Sequence, residues 1–255
     1  MSNVVTAILL AGSRPGRDPL LDGSGATAKA LLPVRGVPMV SYPLAALRET
    51  PEIGRVIIYA NNPDDLAMIV GHVQVVELRP AETSIARTIE LALHEFDGPL
   101  LVTTADHVLL TSAMLRHFVA QSQGCDIAAA MVERGVVERA GHDTQRTWLS
   151  FRGGKWSGAN LFWLGGPACL PLIRVWAGIE QERKKGRKII AAFGVVNALA
   201  AALRLATIHQ LARRVGRRFG LDARIVTMPQ AEACIDADKP DDVALIERIL
   251  AERRS

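Results

Sequence analysis

Cysteine is scarce in this chain and carries no pattern: Cys125, Cys169 and Cys234 are odd in number, scattered and without metal-ligand spacing. That argues against a disulfide framework and against a thiolate metal site. It reads instead as buried thiols in a reducing compartment, the cytoplasm. Aromatic residues make up only 5% of the 255 residues and do not interleave with the basic stretches, so no nucleic-acid partner is expected. The six histidines are dispersed, and no Ser-His-Asp or Cys-His arrangement is evident. No basic segment, apolar run and cleavage site open the chain, so secretion is not expected. The G-x-x-x-x-G-K-[ST] phosphate loop and the G-x-G-x-x-G dinucleotide fingerprint are missing as well. Internal repeats, low-complexity linkers and long polar segments are also lacking.

What is present is an ordinary globular composition, 49% apolar and 22% charged with a net charge of +4. It fits one domain over residues 1–255 that buries its own core. Strand-like runs at 4–10, 55–60, 73–78, 99–105 and 126–132 alternate with helical patterns at 40–48, 84–96 and 111–121. Ser84 and Thr111 stand at the starts of two of those helices. The alternation predicts a three-layer α/β/α fold around a mainly parallel, Rossmann-like mixed sheet. From residue 147 the pattern changes. Strands at 147–151 and 159–164 flank a Gly-rich connection, a helix-rich insertion occupies about 167–219, and a short strand at 224–228 precedes a final helix from Pro240, with Asp238 near its N-cap.

Ligands of such sheets sit beyond the carboxyl ends of the strands, and three segments put chemistry there. The first strand runs into Leu10-Ala11-Gly12-Ser13-Arg14-Pro15-Gly16-Arg17, and Lys29 follows. Backbone N–H groups of a Gly-containing loop, with Arg and Lys beside them, make a cradle for anionic phosphate oxygens. The apolar run 100–105 ends at Asp106, a carboxylate able to hold Mg²⁺ together with substrate phosphates; a turn or helix-capping role is the plainer alternative. Near the end stands Cys234-Ile235-Asp236-Ala237-Asp238-Lys239-Pro240-Asp241-Asp242. Its acids also suit the start of a helix, and for Asp241 and Asp242 that is the whole expectation.

These three segments, in this order, resemble the nucleotidyltransferase superfamily with a glycosyltransferase-A-like fold, which includes molybdenum cofactor guanylyltransferase and sugar- or alcohol-phosphate nucleotidyltransferases. The opening of that family reads roughly L-A-G-G, a loop with G and R, then K-x-L-x-x-x-x-G-x-P; here it is Leu10-Ala11-Gly12-Ser13, Gly16-Arg17, Lys29-x-Leu31 and Gly36-x-Pro38. Ser13 replaces the second glycine, and residues 18–28 lengthen the loop, leaving Arg14 and Arg17 as alternatives for the phosphate-facing arginine and suggesting a lid that orders over nucleotide. The resemblance implies that Leu10, Ala11, Gly12, Ser13, Arg14, Gly16 and Ser84 bind a nucleoside triphosphate (CTP, GTP or UTP). It makes Arg17 and Lys29 the catalytic cations and Asp106 and Asp238 the Mg²⁺ ligands, with Asp236 the fallback for Asp238. Ser157-Gly158-Ala159-Asn160 resembles the acceptor-facing segment, so Gly158 and Asn160 are expected at a phosphorylated acceptor. His107, beside Asp106, is read as structural.

The implied reaction is transfer of a nucleoside monophosphate to a phosphorylated acceptor with release of pyrophosphate. A phosphate monoester has a second pKa of about 6 and is already largely dianionic, so no general base is needed. Two rivals share the architecture: a glycosyltransferase using a nucleotide sugar, which would be expected to carry D-x-D where Asp106-His107-Val108 stands, and a non-catalytic nucleotide-binding protein. Finally, basic residues crowd 174–224, opposed only by Glu180, Glu182 and Asp222. With the apolar stretch 189–208, interrupted by Gly194, Asn197 and Arg204, this reads as two short helices covering the sheet. It also suggests peripheral contact with an anionic membrane through 183–218 at its inner face.

Overall fold

The structure is a computed structural model that describes residues 4–12, 18–71, 75–180, 194, 200 and 203–253. Strand β1 (Val5–Leu10) is central, because its alternating apolar side chains feed two cores at once. Ala7 and Leu9 face one layer and Ile8 the other. Around it the strands β4 (Ile53–Ala60), β5 (Val76–Pro80), β6 (Leu100–Thr104), β7 (Ile127–Glu133), β9 (Gly154–Leu164) and β10 (Ala223–Thr227) form one sheet in the order β5-β4-β1-β6-β9-β7-β10. β9 runs antiparallel between β6 and β7, while the other neighbouring pairs are parallel. A short β8 (Leu149–Phe151) pairs with the start of β9. The mixed, mainly parallel sheet is the one the strand–helix alternation predicts.

Helices cover both faces. α1 (Ser41–Arg48), α4 (Ser112–Ser122) and α5 (Arg134–Ala140) pack Leu44, Leu47, Leu115, Phe118 and Val137 on one side. α3 (Ile85–Glu95) and α6 (Leu170–Glu180) pack Ile89, Leu93 and Ile173 on the other. α3 and α4 begin where Ser84 and Thr111 accept hydrogen bonds from the backbone N–H groups of Arg87 and Met114, caps worth about 1 kcal/mol each. A two-residue turn at Arg35–Gly36, both with positive φ, joins β2 (Pro33–Val34) to β3 (Val37–Pro38). A turn of this kind matches the right-handed twist of the flanking strands. This hairpin leans on α8 (Pro240–Glu252) through Arg35 N–H to Glu247 Oε1 at 2.8 Å.

Several boundaries differ from the sequence reading. Val4 is exposed and outside β1. β9 begins at Gly154, so the turn after β8 is a tight one at Arg152–Gly153. α5 lies between two expected strands where no helix was expected: with only Val137 buried, its periodicity is faint. Of the helix-rich insertion, α6 and α7 (Ile208–Arg218) are observed; of the two short helices expected over 189–208, most positions fall outside the described residues, and 203–207 form turns and bends rather than helix. Residues 18–28 begin with local structure. Asp18 caps a 3₁₀ turn at Pro19–Leu21, and Leu20 is buried against the β2–β3 hairpin and α8. No helix among the described residues is long and apolar enough to cross a membrane.

Candidate active site

The carboxyl ends of four parallel strands meet at one edge of the sheet. Ala11 donates its N–H to Tyr59 O, Ala81 to Ala60 O and Ala105 to Leu10 O, so the residues that follow β1, β4, β5 and β6 lie side by side. Gly12 is set close against two of these neighbours. A Cβ there would meet Asn61 Oδ1 at 3.2 Å and Ala81 Cβ at 3.5 Å. Glycine therefore lets the first loop pass between the β4 and β5 ends. Ser84 caps α3 just beyond β5, with Thr88 Oγ1 accepting from Glu82 N–H and donating to Ser84 O. Ser13, Arg14, Gly16 and Arg17 lie outside the described residues.

The far end of the chain closes this edge. Ala237 N–H donates to Asp106 O, and Arg253 reaches back to Leu109 O. The segment 236–238 is thereby tied alongside the loop after β6. Lys29 Nζ lies between the two expected metal ligands, 2.7 Å from Asp106 Oδ2 and 3.2 Å from Asp238 Oδ1. Burial works to lower the Lys29 pKa, but attraction and hydrogen bonds from Asp106 and Asp238 outweigh it and raise it. Burial likewise works to raise Asp106, yet the Lys29 charge and hydrogen bonds from Lys29 and Thr104 hold its carboxyl below the usual range. The two carboxylates thus converge on one cationic position, reached by residues 77 and 209 positions away from Lys29 in sequence.

Asp236 behaves differently. It is buried, its Oδ2 faces Arg146 Nη1 at 3.4 Å, and its Oδ1 has no hydrogen-bond partner among the described residues. Desolvation, then repulsion from Asp106, push its pKa well above the ordinary carboxylate value. Arg146 also bonds Asp242 at 2.9 Å and the carbonyls of Cys234 and Asp236, so one buried guanidinium clamps the terminal segment. Asp242 accepts from the N–H groups of Asp238 and Lys239, the capping role expected of it; the N-cap itself is Lys239. His107 is fully buried, and desolvation lowers its pKa to about 4, which keeps it neutral.

Gly158 and Asn160 stand on β9 where its register with β7 slips: Ala129 pairs with Phe162 and Met131 with Gly158. The extra residues bulge out, and Asn160 takes a left-handed backbone, φ 44°, which asparagine tolerates better than most side chains. Val102 pairs with Phe162 on the other flank, so a regular ladder would set Asn160 opposite Thr104, two residues before Asp106. Bulges next to sites re-aim side chains in this way. Sequence reasoning missed Asn61, Thr104 and Arg146. Asn61-Asn62-Pro63 directly after a strand is a readable turn signal, and Thr104 lies two residues before Asp106 at the end of its strand. Arg146 sits in an irregular stretch some 90 residues from its partners, where no local pattern marks it.

Residues 7–218 match the MobA-like NTP transferase domain. The chain belongs to that family. Among solved structures, a hypothetical transferase from Thermus thermophilus is 25% identical with a TM-score of 0.78, covering 94% of this chain and 99% of its own. The 4-diphosphocytidyl-2C-methyl-D-erythritol synthase of Anaerococcus prevotii is 9% identical with a TM-score of 0.61, over 97% of this chain and 96% of its own. A CMP:2-keto-3-deoxy-manno-octonic acid synthetase complexed with CTP is 10% identical with a TM-score of 0.61, over 98% of this chain and 99% of its own. At those two low identities the likeness is one of fold. No curated protein matches the sequence. The NTP transferase domain therefore has the α/β sheet of nucleotide-diphospho-sugar-type transferases, and its family match ends before Asp236 and Asp238, which the fold nonetheless brings to Asp106.

Proposed function

We propose that this NTP transferase domain, acting as one unit in the cytoplasm, is a Mg²⁺-dependent nucleotidyltransferase that joins the NMP of an NTP to a phosphorylated acceptor and releases pyrophosphate. The single observation that carries the reading is the convergence of Asp106 and Asp238 on one cation, Lys29 Nζ, at the strand ends beside Gly12. That donor set suits Mg²⁺, which takes one or two protein carboxylates and completes its shell with water and phosphate oxygens. No group of three or more His, Cys, Asp or Glu side chains set to hold a metal occurs among the described residues, so Asp106 and Asp238 would hold the ion only together with substrate. Asp236, with its unpartnered buried oxygen, stands as the alternative to Asp238. When bound, the ion neutralises triphosphate charge.

The residues would divide the remaining work. The backbone from Leu10 to Gly16 would cradle the phosphates, with Gly12 allowing close approach and Ser84 at the start of α3 beside the base. Lys29 would exchange its carboxylate partners for phosphate oxygens and, with Arg17 or Arg14, stabilise charge on the reacting phosphoryl group. Gly158 and Asn160 would orient the acceptor phosphate. One of its oxygens attacks the α-phosphorus, the bond to the bridging oxygen breaks, and pyrophosphate leaves without a protein base.

A glycosyltransferase reading is disfavoured by Val108, which occupies the place of a second acid after Asp106 and is buried. Thermal denaturation with CTP, GTP, UTP, ATP and nucleotide sugars, each with and without Mg²⁺, tests the assignment. We expect one triphosphate at a hundred times its Kd to add about 3 kcal/mol and raise Tm by about 5 °C or more only with Mg²⁺, and Asp238→Ala to lose that dependence. Stabilisation by a nucleotide sugar alone would replace the reading with the glycosyltransferase.

A further inference from the structure

We infer that the arginine face of α7, with the exposed leucines at its start, is a docking surface for an anionic lipid bilayer. α7 has two faces. Ile208, Leu211, Ala212, Val215 and Gly216 recur at helical spacing and turn inward; Ile208 packs with Met131 and Trp156. Gly216 is pressed so close to β10 that a Cβ would lie 2.5 Å from Ala223 Cβ and 2.6 Å from Leu221 O. The inward face is therefore fixed, and the helix cannot roll. Opposite it, Arg213, Arg214, Arg217 and Arg218 fill one exposed stripe. Arg213, Arg214 and Arg217 have no ion-pair partner among the described residues, and no acid occurs from residue 203 to 221.

A cationic stripe alone would suit any polyanion. What favours lipid is a pair of exposed leucines five and three residues ahead of the helix. Leu203 is 64% exposed and Leu205 61%, on either side of Arg204, whose backbone is left-handed at φ 55°. Two large apolar side chains held out in water at the edge of a basic helix offer hydrocarbon insertion together with headgroup attraction, the two terms that drive interfacial binding. Base-stacking aromatics, which a nucleic-acid site would use, are not part of this exposed stripe. The Arg152 N–H to Ala206 O and Arg152 to Gln210 Oε1 hydrogen bonds, at 3.1 and 3.0 Å, pin the β8–β9 turn to the start of α7.

Flotation with vesicles of phosphatidylcholine, with and without phosphatidylglycerol, tests this on the full chain. The protein is expected to float with the anionic vesicles only, and to be released by high salt. Each arginine near such a surface contributes about fivefold in partition, so Arg213→Glu, Arg214→Glu and Arg217→Glu together should lower it about a hundredfold or more. Leu203→Ser with Leu205→Ser should lower it about tenfold. Circular dichroism checks that the variants remain folded. Absence of flotation at low salt, flotation unchanged by the arginine reversals, or displacement from vesicles by duplex oligonucleotide at equal charge would each overturn the inference.

Discussion

Arg146 exposes only 7% of its side chain and faces two buried carboxylates, Asp236 and Asp242. The cluster is not a large source of net stability, because desolvating its charged groups offsets most of their attraction. Removing one partner is another matter, since it leaves charges buried and uncompensated. Arg146→Met should therefore lower the unfolding free energy in urea by about 3 kcal/mol, and Arg146→Lys should recover part of it. Unchanged stability in Arg146→Met would mean that Asp236 is held by something else. Lys29 differs in kind: it is partly exposed and its two partners are unequal, Asp106 largely covered and Asp238 56% exposed. That inequality suits a cation that can let go of Asp238 first.

At the scale of elements, the bulge in β9 is the feature with most consequence for the proposed acceptor side. Asn160 holds a left-handed backbone that a β-branched residue adopts only at a cost of about 1–2 kcal/mol. Asn160→Gly is expected to leave Tm within a few degrees while raising KM for the acceptor, whereas Asn160→Val should lower both Tm and turnover. An Asn160→Gly variant with an unaltered acceptor KM would remove Asn160 from the acceptor site. The central strands and the helices α1, α3 and α4 were legible because burial forces period-2 and period-3.6 patterns onto them. α5 was not, since a seven-residue helix with one buried side chain leaves little pattern to read. The bulge itself was invisible for another reason: register is set by pairing with a second strand distant in sequence.

The whole molecule joins segments that lie at opposite ends of the chain. Leu10-Ala11-Gly12, Asp106 and Asp236–Asp238 were legible as separate motifs, the two acidic ones each with a plain capping or turn explanation. What sequence did not supply is the contact that joins two of them, Lys29 held between Asp106 and Asp238, because it spans 77 and 209 positions. Arg146 and Asn61 escaped notice on similar grounds, their partners being set by the fold. The most direct test of a metal-assisted triphosphate site at this junction is pyrophosphate release, measured with Mg²⁺, a panel of triphosphates and phosphorylated acceptors, in wild type and Asp106→Ala. The account predicts release with at least one pairing, abolished by EDTA and by Asp106→Ala while circular dichroism is unchanged. Full activity in a folded Asp106→Ala variant would contradict it.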